Sequence, residues 1–161
     1  MEHRLTLQER LQAEVRGAMR DHDDLRRDTL RMALSAAHNL EVAQRRPLTD
    51  EEVTSVLSKE VKSRRESVEA YESAGREDLA DKERHEAAIL SEFLPQPLGE
   101  DELRDLVRAA IAETGASSPR DLGKVMGVLS PRTRNRADGK TVSSMVAAEL
   151  AGAAAGTTGA S

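Results

Sequence analysis

The amino-acid sequence predicts an all-α protein, and three observations lead to that prediction. Apolar residues recur at spacings of three and four along most of the 161-residue chain, as they do on the buried face of a helix. No segment alternates apolar and polar residues convincingly at period two. One Tyr, one Phe and no Trp, with charged residues at 33%, are typical of amphipathic helices rather than of a β-sandwich.

Four helices are predicted in the N-terminal subdomain, residues 1–96. Asp21–Asp24 interrupts the first apolar repeat, and Pro47 closes the second. Thr49 followed by Glu52 forms a capping box, which supplies acceptors for the free N–H groups of a new first turn. The predicted helices therefore cover residues 5–20, 25–46, 50–74 and 77–94, each to within a few residues.

A second subdomain, residues 97–150, follows the helix-breaking segment Pro95-Gln96-Pro97-Leu98-Gly99. Its first helix ends at Gly115, and Ser118-Pro119 supplies an N-cap and a proline for the next one. Pro131 is expected to end that helix and to begin a basic loop that runs to Gly139. A last helix follows, and the small, Gly-rich residues 151–161 are expected to form a flexible tail.

Composition excludes several classes of protein. The absence of cysteine removes disulfides, thiolate catalysis and thiolate metal sites. No apolar run approaches the roughly 20 residues of a membrane span, so no membrane partner is expected. The N-terminus lacks the apolar core of a signal peptide. These features predict a cytoplasmic location.

Basic charge concentrates between Arg120 and Lys140, where six cations face two acids in a chain whose net charge is −5. Charge segregated against the overall balance indicates a polyanionic partner. In a loop, long basic side chains project without being paired by helix neighbours. The near absence of aromatic residues favours contacts to phosphates over stacking on bases. The residues predicted to bind RNA are Lys124, Arg132, Arg134, Arg136 and Lys140.

Other polar groups have simpler interpretations. The segment Asp21–Asp24 contains residue types that can bind a metal ion. It lies where one helix ends and the next one needs an N-cap, so no metal is predicted. The basic group at residues 59–65 is interleaved with acids, and Lys62–Glu66 and Arg65–Glu69 are expected to pair along the helix. His85 and the serine pairs have no catalytic setting. No catalytic residue and no cofactor are predicted, and a solvated basic loop without any ligand stays an alternative.

Six segments together resemble the GatB/YqeY family, and the resemblance covers about residues 5–150. Asn135 departs from the pattern, because the family often has glycine there, but asparagine also tolerates the left-handed conformation. The segments, in order, are LTDEEV (48–53), EVKSRRESVEAYESAGREDLADKE (60–83), ILSEFLPQPL (89–98), ETGASS (113–118), GKVMG (123–127) and RADGK (136–140).

The resemblance implies an all-helical fold of two subdomains and a role beside tRNA. The module is similar to the C-terminal tail of the GatB subunit of glutamine-dependent (Glu/Asp) tRNA amidotransferase, which contacts tRNA while other domains perform the chemistry. It also resembles extensions of a tRNA synthetase. Carbon-nitrogen ligase activity with glutamine as the amido donor is thus implied for the larger enzyme only. The resulting hypotheses are a tRNA-binding accessory module without catalysis of its own, or a docking module of an amidotransferase or synthetase complex.

Overall fold

The computed structural model describes residues 3–157, and all regular structure in that range is helical. The all-α prediction, with four helices followed by three, is confirmed. A short 3₁₀ helix, Pro119–Asp121, precedes the sixth α-helix. The α-helices are α1 (Leu7–Arg20), α2 (Asp24–Gln44), α3 (Asp50–Ser73), α4 (Glu77–Ser91), α5 (Glu100–Thr114), α6 (Leu122–Thr133) and α7 (Gly139–Thr157).

Contacts divide the chain into two compact units, unit 1 (Met1–Leu94) and unit 2 (Pro95–Ser161). Unit 1 holds α1 to α4, with α3 packed against α4 and α1 against α2. Unit 2 holds α5 to α7, which pack against one another. Each unit has its own apolar core. The largest fully buried side chains of unit 1 include Leu11, Leu30, Leu57 and Leu90, and those of unit 2 include Val107, Leu129, Val142 and Leu150.

The starts of α1, α2 and α3 are defined by side chains that accept hydrogen bonds from free backbone N–H groups. The predicted capping box of α3 is confirmed, since Thr49 and Glu52 bond reciprocally. An equivalent box at Thr6 begins α1. Asp23 caps α2 by accepting from the Arg26 N–H at 3.1 Å. The acidic segment between the first two helices therefore serves as a helix cap.

Glu52 also provides a pH-sensitive contact at the start of α3. The Arg46 guanidinium lies 2.6 Å from its carboxylate, and this bond and the Thr49 N–H lower the pKa of Glu52 from 4.5 to about 2. The carboxylate therefore stabilises the fold fully above pH 4.5, and this contribution is lost as the pH falls through about 2. We expect the difference in urea midpoint between the wild type and Glu52→Gln to shrink over that interval. A difference that is constant with pH would contradict the assignment.

Two predicted boundaries in unit 2 were wrong. Helix α6 continues two residues past Pro131 to Thr133, because its last turn is held in the core by Leu129 and Thr133, which are buried. Helix α7 continues through residues 151–157, where a flexible tail was predicted. Four alanines in this stretch explain the extension, since alanine has the highest helix propensity. The remaining tail residues, 158–161, lie outside the described part of the chain.

Candidate nucleic-acid interface

The five cations predicted to bind RNA all lie in unit 2, but they occupy different elements. Lys124 lies in the first turn of α6 and Lys140 in the first turn of α7. Arg134 and Arg136 lie in the turn that joins α6 to α7, whereas Arg132 lies in the last turn of α6. The prediction that Arg132 belongs to a loop was therefore wrong, for the same reason that Pro131 does not end the helix.

The turn at residues 134–138 is held in place by the chain segment before α5. The Leu98 N–H donates to the Arg136 carbonyl oxygen at 2.8 Å, and Arg136 Nε donates to the Gln96 carbonyl oxygen at 3.1 Å. Asn135 adopts the left-handed conformation with φ of 64°, as the comparison with glycine predicted. These hydrogen bonds fix the backbone of the turn, so its basic side chains project from a defined position and not from a free loop.

Arg132 is neutralised by Glu113 at the end of α5. Both guanidinium NH groups donate to the two carboxylate oxygens, at 2.8 and 2.9 Å. This bidentate bond lowers the pKa of Glu113, so the carboxylate stays charged under ordinary conditions. The prediction that the loop arginines project without partners was wrong for Arg132, because its partner comes from another helix.

Arg136 is likewise engaged within unit 2. It is half-buried, it donates to the backbone of Gln96, and its NH2 group lies 3.8 Å from a carboxylate oxygen of Glu102. The Arg136 side chain therefore mainly stabilises the turn. The three other predicted cations, Lys124, Arg134 and Lys140, are exposed.

The exposed cations form two groups along α6. Lys124 precedes Arg134 by ten residues, which corresponds to about 15 Å at the helical rise of 1.5 Å per residue. Arg120, which is exposed, lies four residues before Lys124. Arg134 and Lys140 flank the turn at the other end of the helix. Arg134 and Lys140 therefore lie at one end of α6, and Lys124 and Arg120 lie at the other.

An exposed face of α6 carries two glycines, Gly123 and Gly127, beside Lys124. A Cβ atom built on either glycine would meet nothing within 4 Å. Packing inside the protein therefore does not explain these glycines, although each lowers helix stability by about 1 kcal/mol relative to alanine. Both glycines therefore leave the helix backbone beside Lys124 uncovered by neighbouring side chains.

A buried ion pair in unit 1 was missed by the sequence analysis, which treated residues 59–65 as a solvated surface. Arg64 is 5% exposed and its Nε donates to Glu86, itself 8% exposed, at 3.0 Å. Arg64 NH1 also donates to the Glu60 carboxylate at 2.8 Å. The spacing contained a signal, because Arg64 follows the buried residues Leu57 and Val61 at helical spacings of four and then three residues.

The histidine, aspartate and serine candidates of the sequence form no catalytic or metal site among residues 3–157. His85 Nδ1 lies 2.7 Å from the Asp81 carbonyl oxygen on its own helix, and Asp121 accepts from the Ser117 and Ser118 N–H groups. Within residues 3–157, no three His, Asp or Glu side chains converge in a way that would hold a metal ion. Among the helices of that range, none combines the length and apolar character needed to cross a bilayer.

The chain is similar to several curated proteins named "Altered inheritance of mitochondria protein 41, mitochondrial". The one from Pyrenophora tritici-repentis is 31% identical over 80% of this chain and 71% of its own length. Those from Eremothecium gossypii and Lachancea thermotolerans are 32% and 33% identical over 52% and 53% of this chain. The matched region spans 46%, about half, of the length of each of the latter two relatives.

These relatives also correct the predicted location. The cytoplasmic prediction rested on the N-terminal sequence and the lack of an apolar span, but these relatives are named as mitochondrial proteins. These names contradict the cytoplasmic prediction. The prediction failed because the sequence features on which it rested do not discriminate between the two compartments.

A family model provides the broadest comparison. The model for "Yqey-like protein" matches residues 8–150, which include most of each unit and all six segments that suggested the resemblance. With most of the chain matched by that model, we conclude that this protein belongs to the YqeY-like family.

Proposed function

We propose that the protein is a tRNA-binding accessory module that acts beside a glutamine-dependent tRNA amidotransferase and performs no catalysis by itself. The observation that carries the proposal is the pair of exposed cations, Arg134 and Lys140, at the two sides of a turn that the segment before α5 holds in place. Lys124 and Arg120 extend the basic surface along α6. The location proposed with this function is mitochondrial, following the names of the relatives.

The chemistry of unit 2 favours the phosphate backbone over the bases. The two aromatic residues of the chain, Tyr71 and Phe93, both belong to unit 1, so unit 2 has no ring on which a base can stack. Exposed Lys and Arg side chains bind phosphates and read the shape of a folded RNA. Contacts of this kind supply affinity with little sequence preference.

Binding of tRNA by the purified chain tests the proposal directly. Non-specific electrostatic association has dissociation constants of about 10⁻⁴ to 10⁻⁶ M near physiological salt, and the logarithm of the association constant falls by about 0.7 to 0.9 per phosphate neutralised for each tenfold rise in salt. Filter binding over a salt series measures both quantities. Lack of binding at the lowest salt concentration would refute a function based on direct tRNA contact.

The exposed glycine at position 127 leads to a prediction with opposite effects on stability and binding. Gly127→Ala is expected to stabilise α6 by about 1 kcal/mol, because alanine has the higher helix propensity and its Cβ meets nothing within the chain. The same methyl group is expected to weaken tRNA binding by obstructing the backbone of the RNA. Urea unfolding followed by circular dichroism measures stability, and filter binding measures affinity.

The matched control is Gly152→Ala on α7, whose Cβ also meets nothing within 4 Å. This variant should be stabilised in the same way and should retain the tRNA affinity of the wild type. Equal affinities for both variants and the wild type would show that the glycine face of α6 does not contact RNA.

Protein docking is the second candidate function, and a specific feature of unit 1 favours it. A groove between α1 and α2 includes Gln8, Gln12 and Asn39, whose side chains make no hydrogen bond with the described part of the chain. Residues 1–96 carry 16 basic and 21 acidic side chains, so this part of the protein repels nucleic acid. Docking through unit 1 is compatible with RNA contact through unit 2.

A further inference from the structure

The groove in unit 1 has a volume of about 450 Å³ and lies between α1 and α2. Gln8 and Gln12 line it from α1, one helical turn apart, while Ser35, His38 and Asn39 line it from α2. Gln8 and Gln12 also line an adjoining recess of about 320 Å³. Because the two spaces share these side chains, they adjoin, and together they are called the depression below.

The polar side chains of the depression are available for a ligand. Among the described residues, the side chains of Gln8, Gln12 and Asn39 make no hydrogen bond to the protein, whereas six arginines of unit 1 are paired with carboxylates. Each amide offers one acceptor oxygen and two donor hydrogens. An extended polypeptide presents the same alternation of N–H donors and C=O acceptors along its length. Half-buried Leu34 and Leu48 supply apolar surface beneath them.

Charge differs between the two ends of the depression. Arg31 lines the groove, and Glu9, Glu41 and Asp50 line the adjoining recess. Glu9 and Asp50 already accept hydrogen bonds from the Thr6 and Leu7 N–H groups, so Glu41 is the carboxylate of the recess that offers both oxygens to a ligand. Arg31 and Glu41 are ten residues apart on α2, or about 15 Å at the helical rise. An extended chain covers that distance with four to five residues, at about 3.3 Å each.

The carboxylates around the recess indicate whether a nucleic acid or a polypeptide fits the depression. A nucleic acid would bring its phosphates close to Glu9, Glu41 and Asp50, in the more acidic of the two units. A peptide with a basic side chain at that end gains an opposite charge instead. The electrostatics therefore favour a polypeptide.

We propose that the depression binds an extended segment of four to five residues from a partner protein, with a basic residue against Glu41 and a carboxylate against Arg31. Gln8, Gln12 and Asn39 hydrogen-bond the backbone of the segment. This inference rests on the docking function proposed for unit 1 and is independent of RNA binding by unit 2.

An array of immobilised pentapeptides, with the two end positions varied through all residue types, tests the proposal with the full-length chain. The wild type is expected to select Lys or Arg at one end and Asp or Glu at the other. Glu41→Lys is expected to lower binding of the selected peptides at least tenfold. The matched control Glu69→Lys makes the same charge change on an exposed position of α3 outside the depression, and it should bind as the wild type does.

Four results would overturn the proposal. If Glu41→Lys and Glu69→Lys lose equal affinity, the peptides respond to overall charge and not to the depression. If the selected peptides bind unchanged to Glu41→Lys and to a Gln12→Ala, Asn39→Ala double variant, docking occurs elsewhere on the protein. If no pentapeptide is selected while polyuridylate binds and the double variant abolishes that binding, the depression is an RNA site. Loss of pentapeptide selection with tRNA binding intact refutes docking through this depression and leaves the tRNA function standing.

Discussion

Replacement of Glu86 by alanine is expected to destabilise unit 1 by about 3 kcal/mol, the lower end of the range for breaking a buried ion pair. Glu86 is 8% exposed and accepts a hydrogen bond from Arg64 Nε, and the arginine is 5% exposed. Burial lowers the pKa of Arg64, but hydrogen bonds to Glu60 and Glu86 outweigh it, so the net shift is upward and the guanidinium stays charged. The variant leaves this buried charge with Glu60 as its carboxylate partner.

Tyrosine fluorescence during urea unfolding measures this effect in unit 1 alone, because the single tyrosine of the chain, Tyr71, lies on α3. Glu83→Ala is the matched control, since it removes a partly exposed carboxylate from the same helix. A joint Arg64→Leu, Glu86→Leu variant should recover most of the lost stability, since replacing both partners leaves no buried charge. A loss below about 1 kcal/mol for Glu86→Ala would mean that the pair contributes as a surface contact does.

Reversal of the two cations beside the α6–α7 turn is expected to have the largest effect on tRNA binding. The double variant Arg134→Glu, Lys140→Glu should weaken binding by about tenfold or more, and the salt dependence should become shallower by about 0.7 to 0.9 for each phosphate contact removed. Both side chains are exposed, so the fold should be retained. Filter binding over a salt series, with circular dichroism as a check of folding, measures the change.

The matched control for charge is Lys59→Glu with Arg65→Glu, which also converts one exposed lysine and one exposed arginine, but on α3 of unit 1. The control should bind tRNA nearly as the wild type does. Equal losses in the two double variants would show that net charge, and not this surface, governs binding.

Glu113→Gln should instead strengthen tRNA binding, because loss of the carboxylate charge releases Arg132 for an additional phosphate contact.

Most of the helices were predictable because their signals are local. Apolar positions at helical spacing, the capping box at Thr49 and the break after Pro95 involve residues that are close in sequence. Pro131 misled the prediction because its usual effect applies to an isolated helix. In the folded protein, burial of Leu129 and Thr133 holds the last turn, an interaction that depends on packing against other helices.

The candidate interface was only partly predictable, for the same reason. Sequence identified the five cations by their local excess of charge, but charge counts do not distinguish a cation that faces solvent from one that is already paired. The partner of Arg132 is 19 residues away, and the backbone partner of Arg136 is 40 residues away. The partner of Arg64 is 22 residues away on the adjacent helix. Such distances in sequence carry no local signal.

By itself, the sequence determined that this chain forms helices, where most of them begin and end, and which family it belongs to. Only the tertiary structure decided which charged groups are available to a partner: it paired Arg132 with Glu113, tied Arg136 to Gln96, buried Arg64 and left Lys124 and Lys140 exposed. The physical reason is that helix formation depends on neighbours three and four residues apart. Ion pairing between helices depends on how the helices pack, and a net charge of −5 can be arranged in many ways on the same set of helices.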